Sequence, residues 1–143
     1  MSDREATIRH YWLDVIGANR FELAGDVYAP QFRVNDDAET PDSWAAGMRT
    51  WQSHFAETSA ELLDLMEAGD KVITRVVLRG RHIEDFRSFR AHHRTYEVLG
   101  LDIFEFSGDR VAQHWHLNDH WELFQQLGAK LVDGVDDESS ANS

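Results

Sequence analysis

The run "GLDIFEFSGDRVAQHWHLND", residues 100–119, decides how this chain folds. Two stretches with a period of two flank the turn signal "SGD", the pattern of a long antiparallel pair. In the first, Asp102 has the parity of Phe104 and Phe106, the expected inward set, while Glu105 points away. A carboxylate on an apolar face is uncommon unless it is paired or functional. Asp102 either shares a pocket with a second acid or bonds an arginine such as Arg75. The second stretch becomes crowded with His and Trp and ends on Asp119. It then runs into "HWELFQQLG", residues 120–128, an amphipathic helix with Gly128 placed as its C-cap. Asp119 therefore has two readings. It is the N-cap of that helix, a role aspartate fills well, or a carboxylate aimed into a cavity.

Working outward, "ELLDLMEA" and "KVITRVVLRG" are strands joined by "GD", and the long pair begins at "RTYEVLG". Upstream the period is helical. Ile8, Tyr11, Trp12, Val15 and Ile16 fall on one face of a first helix capped by Ser2 or Asp3. A short helix is expected across "FELAGDVYA", halted by Pro30, and "FRVN" reads as a brief strand. "TPDSWAAGMRTWQSHFAE" opens with Thr40 as cap and Pro41 at the first helical position, with Trp44, Met48, Trp51 and Phe55 along one face. Helices, a strand, a helix, then antiparallel strands and a closing helix make an α+β layout with helices on one face of a sheet. A strongly curved, mostly antiparallel mixed sheet wrapped around the N-terminal helices is expected to form a cone enclosing an apolar pocket. The domain is expected to span 1–130. The acidic, small-residue tail 131–143 has too little apolar surface to fold.

At 143 residues the chain is one domain of common size, 42% apolar and 11% aromatic, which excludes wholesale disorder. A formal charge of −12, with no concentration of Lys and Arg, argues against nucleic-acid and anionic-membrane partners. With no cysteine there is no disulfide, thiolate zinc site or cysteine nucleophile. The charged N-terminus lacks a hydrophobic signal region and no run reaches spanning length, so a cytoplasmic soluble domain is expected.

"LAGDVYAPQFRVND", "GDKVITRVVLRGRH", "GLDIFEFSGDRVAQHWHLND" and "LFQQLG", in that order and spacing, resemble the SnoaL-like polyketide cyclases of the nuclear-transport-factor-two-like superfamily. Members carry "G-T-H-T-G-E-F-x-G-I-P-P-T-G-R" between the central strands. Here Gly80, His82, Phe86 and Arg94 match it, while Phe89, Arg90, Ala91, His92 and His93 replace the I-P-P-T-G core. The resemblance implies a cofactor-free intramolecular aldol closure on a small polyketide-like substrate, a flat polycyclic ester or a linear chain. It also implies a homodimer through the convex sheet. Epoxide hydrolases and dehydratase-like enzymes that use an Asp pair, and proteins of no known activity, share the family, so membership alone does not fix the chemistry. A non-catalytic small-molecule-binding dimeric module is the other alternative.

The resemblance also nominates residues. The family's acid/base is an aspartate four residues after a strand tryptophan, a spacing that Trp115 and Asp119 reproduce. If that strand stays extended, both line the cavity, and Asp102 is the second catalytic candidate. A desolvated carboxyl with a raised pKa is what the chemistry asks for. Substrate-binding candidates are Asn35, Trp12, Trp51, His92, His93, Trp115 and His116. His114 and His116 alternate away from Trp115 and are expected on the convex side. A His-x-His pair puts two imidazoles on one face, but the third ligand would have to be Asp119 or His120, so no metal is expected.

Overall fold

Gly69 and Gly108 adopt φ of 62° and 65°, left-handed values that cost glycine nothing, at the two hairpin turns marked by "GD" and "SGD". The computed structural model describes residues 1–85 and 90–128. The expected tail, the boundary at 130 and the loop positions Phe86 and Phe89 lie outside them. The turns join β3 (Phe55–Ala68) to β4 (Lys71–His82) and β5 (Thr95–Ser107) to β6 (Arg110–Asn118). With β1 (Tyr28–Val34) and β2 (Asp37–Glu39) they form one six-stranded sheet in the order β2-β1-β6-β5-β4-β3. Every pairing is antiparallel except β1 with β6. The fold is the α+β cone with a curled mixed sheet that the sequence led us to expect.

Helix α1 (Asp3–His10) is capped by Ser2, which accepts from the Glu5 amide, and continues as one turn of π-helix over Tyr11–Ile16. That register buries Ile8, Tyr11, Trp12 and Val15 against the sheet, the face the periodicity marked. Arg4 fastens this helix to both hairpin turns, donating to the carbonyls of Gly69 and Gly108 at 3.2 Å each. Its guanidinium lies 5.3 Å above the Phe106 ring.

Three local expectations shift. The helix expected across 21–29 is a 3-10 helix over Phe21–Asp26, after which β1 starts early and includes Pro30. Pro30 is tolerated because it falls in the irregular stretch of β1 between the pairings of Tyr28 and Arg33 with β6. Helix α2 (Pro41–Gln52), held by a reciprocal Thr40–Ser43 capping box, stops five residues short of Glu57. Phe55 belongs instead to β3, which is 14 residues long. Asp37–Glu39, for which the sequence predicts no element, form β2 and pair with β1.

A candidate active site built on a bulge

One extra residue in β6 sets the chemistry of the cavity. Glu105 pairs with Gln113, yet Phe106 pairs with Val111, so Ala112 is bulged out of the ladder. A bulge changes the parity of everything beyond it. Val111 is buried, and after the bulge His114, His116 and Asn118 turn inward while Trp115 and Leu117 turn out, 44% and 68% exposed. The expected assignment of faces on this strand is therefore reversed. Trp115 lies on the convex face and the two histidines on the concave one.

Across the ladder, Asp102 stands opposite His116 and Phe104 opposite His114. One oxygen of Asp102, Oδ2, lies 2.5 Å from His114 Nε2 and 2.6 Å from His116 Nδ1. Arg75, the alternative partner, bonds Asp64 on the outer face at 2.7 Å. On its other side, His114 Nδ1 lies 2.8 Å from the Tyr28 hydroxyl. The His114 ring stacks on Phe104 at 4.1 Å and meets Tyr11 edge-on at 5.7 Å.

These contacts order the protons. Burial alone would raise the Asp102 carboxyl, but the bonds from His114 and then His116 outweigh it and hold the pKa below the ordinary carboxylate value. Asp102 is therefore an anion that only accepts, and both imidazoles donate to it. Burial lowers the His114 pKa despite Asp102, so this ring is neutral near pH 7, with its proton on Nε2 and its Nδ1 accepting from Tyr28. Burial, reinforced by the Asp102 charge, lifts the Tyr11 hydroxyl far above the usual phenol range, and burial does the same to Tyr28. His116 spends Nδ1 on Asp102, which leaves Nε2 on the far edge of a ring that is 29% exposed and lines the cavity.

The cavity has a volume of about 260 Å³ and lies between the N-terminal helices, α2 and the inner sheet face. Tyr11, Trp12, Phe21, Trp44, Met48, Trp51 and Tyr96 form its apolar wall; His114, His116, Asn118 and His120 make a polar side, and Asn19, Gln52, Thr58, Ser59 and Arg79 also line it. Tyr96 lies over Gly80 so closely that a Cβ there would stand 2.6 Å from its hydroxyl oxygen. Burial pushes that hydroxyl's pKa up to about 12.

An aromatic cavity with one histidine–carboxylate wall, closed by a sheet of this topology, matches known proteins. The model of the SnoaL-like polyketide cyclase family matches residues 6–127. The chain belongs to the SnoaL-like polyketide cyclase family. Among solved structures it is similar to TsrD from Streptomyces laurentii, at 26% identity over 90% of this chain and 96% of that one, with a TM-score of 0.81. IdmH from Streptomyces antibioticus, described as a candidate polyketide cyclase, gives 22% identity, 88% and 99% coverage and a TM-score of 0.77. AclR from Streptomyces galilaeus, described as a candidate hydroxylase, gives 20%, 99% and 96%, and 0.74. At those identities IdmH and AclR speak for the fold. No curated protein matches the sequence.

Within this SnoaL-like chain the nominated residues separate. Trp12 and Trp51 line the cavity, and Trp12 is fixed by an Nε1–H bond to Thr74 Oγ1 at 3.1 Å. His116 lines it too, and Asp102 sits behind it. Asp119 is the N-cap of α3 (His120–Gln126): its Oδ1 accepts from the Glu122 amide at 3.0 Å, the side chain is exposed, and it is not among the cavity-lining residues. Asn35 is exposed at φ 52° and does not line the cavity. Its amide grips the backbone of His116, accepting from N at 2.9 Å and donating to O at 3.2 Å. His92 and His93 are exposed and away from the lining. Tyr11, Tyr28, His114, Asn118 and His120 went unnominated. The His-x-His spacing was the available signal for His114, and the inward parity of Asp102 on the adjacent strand was its complement.

Proposed function

We propose that the protein is a cofactor-independent cyclase-type enzyme that closes a ring by an intramolecular aldol-type reaction, with His116 as the proton-transfer group and Asp102 as its anchor. The observation that carries this reading is the 2.6 Å bond between His116 Nδ1 and Asp102 Oδ2 at the edge of an aromatic cavity. The bond fixes the tautomer, so Nε2 offers a lone pair to the cavity and the carboxylate stabilises the imidazolium that forms. Nε2 takes a proton from the carbon between two carbonyls. The enolate carbon attacks a carbonyl carbon of the same molecule, a C–C bond forms, and the imidazolium returns its proton to the new alkoxide. Atoms balance within substrate and imidazole, and no electron leaves the pair.

The aromatic wall suits a flat or folded polyketide-like substrate, and holding it bent in a near-attack shape supplies several kcal/mol of the barrier. The acid/base role that the family resemblance gives Asp119 moves in this reading to the pair Asp102–His116, because a capping carboxylate is occupied by a backbone amide. Homodimerisation through the convex face is part of the proposal. Leu99, Leu101, Trp115 and Leu117 lie exposed on neighbouring strands there, with Leu101 directly opposite Leu117.

Proton abstraction is tested by NMR in D2O, following exchange at the central carbon of an aromatic 1,3-keto ester. The wild type is expected to accelerate exchange. His116→Gln and Asp102→Asn lose roughly 10²–10⁴-fold of that rate, with circular dichroism unchanged, and Asp119→Asn stays within a few-fold. Full exchange in His116→Gln, with loss in Asp119→Asn, would return the role to Asp119.

A further inference from the structure

The acid/base reading uses the Asp102–His114–His116 cluster with two N–H protons inside it. The same three atoms also form the donor set of a metal centre: two imidazole nitrogens and one carboxylate oxygen, all within 4.8 Å of one another. Two histidines and a carboxylate that leave open positions toward a cavity are a recurrent ligand set for first-row transition ions, and imidazole suits zinc, iron and nickel. The third ligand comes from the adjacent strand, not from Asp119 or His120, because Asp102 is paired opposite His116 in the ladder.

Three features prepare the cluster for an ion. A ring whose proton sits on the nitrogen facing Asp102 has only to carry it on its other nitrogen. The His114 proton would pass to Nδ1, which faces the Tyr28 hydroxyl at 2.8 Å, and a hydroxyl accepts as readily as it donates. That contact is the outer-shell hydrogen bond that metal-binding histidines use to fix their orientation. The His116 proton would pass to Nε2 at the cavity. In addition, Asp102 Oδ1 is buried with no hydrogen-bond partner, a second lone-pair source beside the ligating oxygen. Access comes through the cavity that both histidines line. Zinc bonds of about 2.0–2.2 Å set tetrahedral donors roughly 3.3 Å apart, so the present O···N contacts of 2.5 and 2.6 Å open by about 0.8 Å each, and the two imidazole nitrogens, within 4.8 Å of one another, close by up to about 1.5 Å. His116 has room, being part-exposed.

We propose that this cluster binds one divalent transition-metal ion of the zinc–cobalt–iron class through Asp102 Oδ2, His114 Nε2 and His116 Nδ1, and that occupancy blocks the cavity's proton transfer. The ion moves the His116 proton onto Nε2 and so removes the lone pair that the acid/base reading needs. Binding itself stands apart from that reading; only the inhibition rests on it.

The full chain, stripped with EDTA, is titrated with Co2+ by visible absorbance and with Zn2+ by calorimetry. The expected result is one ion per chain, a cobalt d–d band and a raised Tm. His116→Ala and Asp102→Asn lose the band. Tyr28→Phe, which removes only the outer-shell partner, weakens binding roughly tenfold. A His92→Ala/His93→Ala double variant, in the exposed loop, binds as the wild type does. Thermal melts in EDTA confirm that each variant folds. No ion taken up, or binding that survives His116→Ala, overturns the proposal. In the D2O exchange assay, Zn2+ is expected to stop exchange and EDTA to restore it, and exchange that continues at full Zn2+ occupancy overturns the inhibition. If the wild type shows no exchange at all, the cyclase reading falls while the cobalt and calorimetric results still decide the metal site.

Discussion

Gly80→Ala tests whether the cavity wall is as tightly built as the geometry says. An ideal Cβ at Gly80 stands 2.6 Å from Tyr96 Oη, 2.7 Å from Cε2 and 2.8 Å from Cζ. Relaxed heavy-atom contacts begin near 3.5 Å, so the ring has to retreat by about 0.8 Å. The three atoms belong to one rigid ring, and no flexible tip can turn aside. Tyr96 is also braced edge-on by Phe55 at 5.3 Å and is only 9% exposed. Overpacking of this kind costs roughly 1–3 kcal/mol, or some 2–4 °C in Tm per kcal/mol for a chain of this size. The displaced ring moves toward the cavity it lines, so ligand binding weakens as well. Urea unfolding at pH 7 measures the cost. In a Tyr96→Ala background the same substitution should cost under about 0.5 kcal/mol, giving a coupling of at least about 0.5 kcal/mol. An equal cost in both backgrounds would place the penalty in the backbone and refute the ring-contact argument.

Tyr28→Phe keeps the stack on Phe32 at 3.9 Å but leaves His114 Nδ1 buried without a donor, and urea unfolding should show a loss of about 1–3 kcal/mol. Asp119→Ala removes the cap on α3 and should cost roughly 0.5–2 kcal/mol in the same measurement. His10 bridges Asp14 at 2.6 Å and Asp26 at 3.0 Å, and although burial opposes it, these bonds raise its folded pKa. A raised folded value means stabilisation that is complete below the unfolded value of about 6.5 and is lost as pH climbs through the folded one. Stability should therefore decline as pH rises through that window, by under about 1 kcal/mol for so exposed a pair, and His10→Gln should flatten the slope.

Much of this was legible in the sequence, for reasons that also explain the failures. Periodicity and glycine turns gave β4, β5 and β6 nearly whole, because both hairpins are closed by two-residue turns and their strands are rich in β-branched and aromatic residues. Asp102 was placed inward correctly because no irregularity separates it from Phe104. His114, His116 and Trp115 were misplaced because parity counted along β6 ignores the bulge at Ala112, and nothing local in "RVAQHWH" announces it. The bulge is a property of the pairing with β5. The cap on α3 was visible in Asp119 itself, while the histidine–carboxylate cluster needs two strands to be laid side by side before it exists.

The parallel pairing of β1 with β6 also bears on how the protein is made. Tyr28 leaves the ribosome early, and the histidine it bonds lies 86 residues later. At roughly 5–20 residues per second of synthesis, the tyrosine waits about 4–17 s for its partner. Through that interval the inner edge of β1 has no strand to pair with, and Tyr28 and Phe32 sit on a nascent chain that has yet to close over them. The site is therefore among the last parts of the molecule to form, and a chain halted before His114 would carry most of the aromatic wall and the Asp102 carboxylate but neither histidine that the carboxylate holds.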